Sequence, residues 1–378
     1  MRLTSMDQAL LKLRRWLVGL FVTTMAAGCA VVGAEEGNDE SIPYVGEPRV
    51  EAGLALDEPA LAAHRTAPEA RTTVSDRAPH QVVMADGTPL PLRRWGPSPE
   101  TGEPPRAVVL GVHGLNDHAG SFAPTAAALV PEGMAVYAWD QRGFGASQAR
   151  GSWPGTDTLV ADASWVAGQL RERYPQTPIY LMGISMGGAV IAVGLDQEPD
   201  LPVDGVVLSG PAVWGEEVMP WHQRWALWVG ERLVPDLAVS ARAVGIEPTD
   251  LDAVLDDLAE DPLWIRRTRV EVMAGVAELM DEALEAIPQL DRATMLIQYG
   301  GQDEVIPPEA MCAMYQRLPT DGPWRVAHYP EGYHMLTRSS IADRVLADVA
   351  AFIDAPAAPL PSGQGVDRAE AIGAVCEN

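Results

Sequence analysis

The chain has 378 residues and a formal charge of −25, from 27 Lys plus Arg against 52 Asp plus Glu. Lys12 is its only lysine, and the acidic balance argues against a nucleic-acid binder, whose affinity comes mostly from cations meeting phosphates. The three cysteines, Cys29, Cys312 and Cys376, are too few for a disulfide scaffold; they show no zinc spacing, and no HExxH occurs. At roughly 100–200 residues per domain the length fits two domains, or one large one with appendages, and 47% apolar residues suffice for a sizeable core.

The first segment reads as an address. Arg2, Lys12, Arg14 and Arg15 precede an apolar run from Trp16 to Gly28. That run is shorter than the roughly 20 residues a helix needs to span a membrane. A charged start, a short apolar stretch and the small residues Ala26-Ala27-Gly28 describe a secretory signal. Cys29 follows at once, so the segment resembles a bacterial lipoprotein signal, with Ala26 where the usual pattern has Leu. The resemblance implies removal of residues 1–28 and lipidation of Cys29. It also implies export, with the protein lipid-anchored to a bacterial cell membrane on its periplasmic or cell-surface side. An ordinary cleaved signal and a retained signal-anchor are the alternatives. Several acyl chains on one cysteine anchor stably, since each buried CH₂ contributes about 0.8 kcal/mol. In an oxidising compartment Cys312 and Cys376 become an even pair that could bridge the C-terminal tail to the last third of the domain.

Residues 29–79, rich in Glu, Asp, Ala and Pro, read as a flexible tether, and the tail 355–378 has the same texture. The folded region is expected over 80–354. Residues 81–95 carry two β-rich runs around Asp86-Gly87, a hairpin signal. Continuous apolar runs at 106–114, 134–140, 178–185, 203–211 and 293–301 predict strands buried on both faces, joined by a further strand at 325–330. Helices are expected at 121–130, at 157–174 (capped by Thr156 or Asp157), after 185, at 307–317 and at 339–353. This alternation means an α/β fold, a mostly parallel central sheet flanked by helices. It stops at about 212 and resumes near 290, so that stretch reads as a helical cap insertion.

Gly183-Ile184-Ser185-Met186-Gly187 is a G-x-S-x-G motif with an apolar strand before it and a helix after it. The glycines permit a sharp turn that exposes the serine hydroxyl. A serine needs a base. Of the seven histidines, His334 sits in a loop after the last long strand, where open α/β sheets place their chemistry. His328 reads as a packed strand residue and His113 as a turn-shaping one. Asp303, after the strand MLIQYG, is the expected carboxylate partner, with Glu304 as its rival. The order Ser185, Asp303, His334 is the serine–acid–histidine order of α/β-hydrolases. Leu115, after His113-Gly114, is the natural second oxyanion donor beside Met186, both through backbone N–H groups. Asp140 and Arg142 read as loop braces.

HGLNDHAGSF (113–122), DQRGFGAS (140–147), GISMGG (183–188), GGQDEVIPP (300–308) and EGYHM (331–335) resemble α/β-hydrolases, more narrowly the monoacylglycerol lipase and lysophospholipase group. Two departures are Asp117 for the usual Glu and Ile184 for the usual His before the serine. The resemblance implies cleavage of carboxylic esters of lipids without metal or cofactor, through Ser185, His334 and Asp303. The alternatives are an esterase or an amidase/peptidase on small non-lipid substrates, and a non-catalytic surface binding protein on the same fold. Trp221, Trp225 and Trp228 recur at i, i+4 and i+7, one helical face. Such a face either packs the cap onto the core or forms an apolar lid that admits acyl chains or rests at a membrane interface.

Overall fold

The computed structural model describes residues 80–98, 104–215, 218–240, 246–291 and 293–376. The signal segment 1–28, Cys29 and the tether 29–79 lie outside the described residues. Strands β1 (His80–Val83) and β2 (Pro89–Trp95) form the expected antiparallel hairpin. Gly87 turns it at φ 85°, and Thr88 N–H donates to the Asp86 carboxylate at 2.9 Å.

Strands β3 (Val108–Val112), β4 (Ala135–Trp139), β5 (Ile179–Ile184), β6 (Gly205–Ser209) and β9 (Met295–Gly300) are buried throughout, as their unbroken apolar runs require. With β10 (Trp324–Tyr329) they pair in parallel in the order β4-β3-β5-β6-β9-β10. The β1–β2 hairpin closes one edge. The other carries β11 (Gly365–Val366), antiparallel to β10.

Alternation along each strand sends side chains to two separate cores. Val108, Leu110, Val112, Val206 and Leu208 enter one, against helices α2 (Thr156–Arg173) and α3 (Met186–Gln197). Val109 and Val207 enter the other, against α1 (Ala123–Leu129) and α8 (Ala342–Asp354). The protein is therefore an α/β fold with a mostly parallel sheet between helical layers. The start of α2 differs from expectation: Gly155, at φ 92°, occupies the cap position, and Thr156 is already helical.

The insertion between β6 and β9 holds α4 (Trp221–Leu233), β7 (Ala238–Ser240), α5 (Asp252–Glu260) and β8 (Arg267–Arg269), with β7 and β8 paired as a small antiparallel sheet. The following helix α6 (Val270–Ala286) is not cap. It buries Val272, Val276, Leu279, Ala283 and Leu284 in the same core as α3, against which it packs. The cap thus ends at Arg269, short of the expected boundary near 290. Periodicity alone cannot separate a cap helix from a layer helix, because both bury one face.

The C-terminal tail also departs from expectation. Beyond β11, α9 (Arg368–Cys376) packs on α7 (Pro308–Arg317) with Ala371 and Val375 buried. Cys312 and Cys376 form a disulfide between them. The Arg368 guanidinium donates to the carbonyls of Tyr315 and Gln316 at the end of α7. Among the described residues no helix is long and apolar enough to cross a membrane.

Candidate active site

Ser185 stands between β5 and α3 at φ 54°, ψ −116°, a region costly for a residue with a Cβ. Its glycine neighbours make so tight a turn possible. A Cβ on Gly187 would lie 1.9 Å from the Val112 carbonyl oxygen, and one on Gly183 would lie 2.5 Å from the Gly187 carbonyl oxygen. Only glycine fits either place. The strand before and the helix after are buried, while Ser185 itself is half-buried.

His334 and Asp303 meet on the loops after β10 and β9. His334 Nδ1–H donates to Asp303 Oδ2 at 2.8 Å, and both residues are buried. The other carboxylate oxygen accepts the N–H groups of Val305 at 2.8 Å and Ile306 at 2.9 Å. With the proton on Nδ1, Nε2 carries a free lone pair and can act as a base. Glu304, the rival acid, accepts the Glu247 N–H instead. Gly210, one residue beyond β6, adjoins both halves of the pair: a Cβ there would lie 3.3 Å from His334 Nδ1 and 3.5 Å from Asp303 Oδ2. Its neighbour Ser209 accepts the Ser185 N–H at 3.0 Å. Serine, histidine and aspartate therefore gather at one edge of the sheet.

The loop after β3 passes the same point. A Cβ on Gly114 would be 3.3 Å from Ser185 Cβ and 4.0 Å from its Oγ, so the chain passes the serine immediately before Leu115. Met186 is the first residue of α3, where a backbone N–H has no partner within the helix. His113 holds the loop in shape. Its Nδ1–H donates to the Gly114 carbonyl at 2.8 Å and its Nε2 accepts the Gln141 N–H at 3.0 Å. Complete burial pushes its pKa down and keeps it neutral, against the opposing pull of Asp117 and Asp140.

Asp140 accepts the N–H groups of Ala119 and Ala146, both at 2.8 Å. Arg142 is held between Asp162, 2.6 Å from Nε, and Asp86, 2.8 Å from Nη1. Both are loop braces. His328 is a strand residue stacked on Tyr299, and burial lowers its pKa.

Several residues at this edge make contacts that the sequence does not reveal. Asn116 donates to Thr268 at 2.7 Å and accepts from Ile265 N–H at 3.0 Å, which ties the Leu115 loop to the cap. His118 Nδ1 accepts the Gly120 N–H, so its Nε2–H donates to Asp261 at 2.8 Å. Asp117 pairs with Arg338, just past His334. Among the described residues, no group of three or more His, Cys, Asp or Glu side chains is placed to hold a metal ion.

The sheet order and the loops gathered at its carboxyl edge are those of the α/β-hydrolases, the class to which this fold belongs. Within that class the chain belongs to the Hydrolase_4 family, described as serine aminopeptidase, S33, which it matches over residues 103–340. It is accordingly a hydrolase. The monoacylglycerol lipase of Mycolicibacterium smegmatis is 28% identical over 291 residues, spanning 74% of this chain and 98% of that protein. Human monoglyceride lipase is 29% identical over 227 residues, spanning 58% of this chain and 71% of that one. Among solved structures, a soluble variant of the monoglyceride lipase from Saccharomyces cerevisiae, in complex with a substrate analog, superposes with a TM-score of 0.61 at 18% identity. That match covers 76% of this chain and 98% of that one.

Proposed function

We propose that the chain is a carboxylic ester hydrolase acting on lipid esters of the monoacylglycerol or lysophospholipid type. The observation that carries this reading is the buried His334–Asp303 pair at the same sheet edge as the strained Ser185. The monoacylglycerol and monoglyceride lipases among its relatives support the substrate class. In the proposed cycle Ser185 Oγ attacks the ester carbonyl as His334 Nε2 takes its proton. Asp303 stabilises the imidazolium, and the Leu115 and Met186 N–H groups receive the oxyanion. His334 returns the proton to the leaving alcohol, which leaves an acyl-enzyme. Water, deprotonated by His334, then releases the fatty acid and restores Ser185.

We further propose that the enzyme is exported and lipid-anchored, from the lipoprotein-like segment that ends at Cys29. Lipidation of Cys29 would hold the enzyme at a bacterial membrane on the exported side. The Cys312–Cys376 disulfide supports an oxidising compartment. The exposed tryptophans of α4 support contact with a lipid surface.

The test is hydrolysis of monoacylglycerols, lysophospholipids and p-nitrophenyl esters by the purified protein, with Ser185→Ala beside it. The variant's kcat is expected to fall about 10⁴–10⁶-fold and its labelling by a fluorophosphonate to vanish. Full activity in that variant would sink the assignment. The family's description as serine aminopeptidase favours one second reading, cleavage of an amide. Faster turnover of aminoacyl p-nitroanilides than of esters would select it. A binding protein without catalysis would leave every substrate intact.

A further inference from the structure

Leu115 and His334 leave the sheet on β3 and β10, which are four places apart and therefore separated by roughly 19 Å. Something must hold the two loops in register above the serine. Asp117, two residues past Leu115, is buried. One of its carboxylate oxygens accepts the His118 N–H at 2.9 Å, and the other meets the Arg338 guanidinium. Arg338 ends the short turn Leu336–Arg338 that follows His334. That turn is closed by Leu336 N–H on the His334 carbonyl at 2.9 Å and Arg338 N–H on the Met335 carbonyl at 2.8 Å.

The cap grips the same turn from the other side. The buried Thr249 donates its hydroxyl to the Arg338 carbonyl at 2.7 Å, and the Pro248 carbonyl accepts the Met335 N–H at 2.8 Å. Asp250 accepts from the N–H and hydroxyl of Ser340, and Glu247 N–H reaches Glu304 beside Asp303. One cap segment, 247–250, therefore touches the acid loop and the base loop, and Arg338 extends that contact to the oxyanion loop.

We propose that Asp117 and Arg338 are positioning residues, a buried ion pair that sets the Leu115 loop against the His334 loop, with Thr249 as its anchor in the cap. The pair touches no substrate. It acts by fixing the distance between the oxyanion donor and the base. This inference rests on the ester-hydrolase reading of the site.

The experiment measures kcat and KM on p-nitrophenyl butyrate, with competent sites counted by fluorophosphonate titration so that misfolded protein does not enter. Removing one partner strands a buried charge and can unfold the protein. The main variant is therefore the neutral double substitution Asp117→Asn with Arg338→Gln. Its kcat per titrated site is expected to fall about 10–100-fold with KM within about 2-fold of wild type. Arg338→Lys and Thr249→Val, which leave no unpaired charge, should each lower kcat in the same sense. Asp117→Glu should keep most of it, since it preserves the carboxylate. A kcat per site within 2-fold of wild type in the double variant overturns the proposal. Should that variant not fold, an unchanged kcat in Arg338→Lys overturns it equally. A wild-type protein that hydrolyses no ester refutes the functional reading instead.

Discussion

Ser185 and His113 show how differently single residues serve one site. Ser185 sits in a strained backbone, in a turn that Gly183 and Gly187 allow because neither position has room for a Cβ. His113 is buried and neutral, and its two ring nitrogens fasten the Gly114–Leu115 loop to the neighbouring loop at Gln141. Its pKa is lowered from the ordinary 6.5 by burial. The unfolded chain therefore binds more protons than the native one once the pH drops below that value. The stabilising contribution of neutral His113 is fully present above about pH 6.5 and is lost as the pH falls toward the folded value. His328, also lowered by burial, adds a slope of the same sign. Stability measured by denaturant unfolding should fall between about pH 7 and pH 5, with a shallower slope in His113→Gln. An identical slope in the variant would remove His113 from the account. The turn at Ser185 and its two glycines could be read from the sequence because a strand-to-helix turn is a local feature, and Asp303 and His334 are singled out by their places in loops after strands. The Asp117–Arg338 pairing could not, since those partners lie 221 residues apart.

At the scale of elements, α4 resolves the two readings of its tryptophan face. Trp221, Trp225 and Trp228 are 77%, 52% and 56% exposed, so they do not pack the cap onto the core. That task falls to the opposite face, where Ala226 and Leu227 pack with Val270 and Met273 of α6. Arg232 lies 4.1 Å over the Trp228 ring, a cation–π contact on the outer surface. The proposed contact with a lipid surface is tested on this exposed face. Substituting Trp225→Ser and Trp228→Ser together should leave thermal stability and turnover of a short soluble ester almost unchanged. Binding to phosphatidylcholine vesicles should weaken about 10-fold or more for each ring removed from lipid contact. Unaltered vesicle binding would show that this face meets something other than lipid.

Across the whole molecule, the tail closes the fold rather than trailing from it. Strand β11 covers the edge of β10, which would otherwise offer unpaired backbone groups. Asp348, fully buried on α8, accepts from Tyr329 at 2.7 Å and from Ser362 N–H at 2.9 Å, which draws the tail onto the sheet. The disulfide then joins residues 64 apart. A loop of that length constrains the unfolded chain by up to about 4 kcal/mol. Replacing both cysteines by serine, or reducing the bond, should lower the unfolding free energy by about 2–4 kcal/mol, while ester turnover at room temperature persists. Unchanged stability after reduction would mean that the packing of α9 on α7 does the holding alone.

The sequence by itself determined the alternating strands and helices, the turn at Ser185 and the strand-end loops that carry Asp303 and His334. Each of these is written in a few consecutive residues: an apolar run, a serine flanked by glycines, a polar loop after a buried strand. Tertiary structure decided that α6 joins the layer and not the cap, that the tryptophans face outward, and that the tail is folded. It also decided which ion pair links the Leu115 loop to the His334 loop. These outcomes depend on what each face meets across the molecule, and contacts between distant segments leave no periodic or compositional mark on either one.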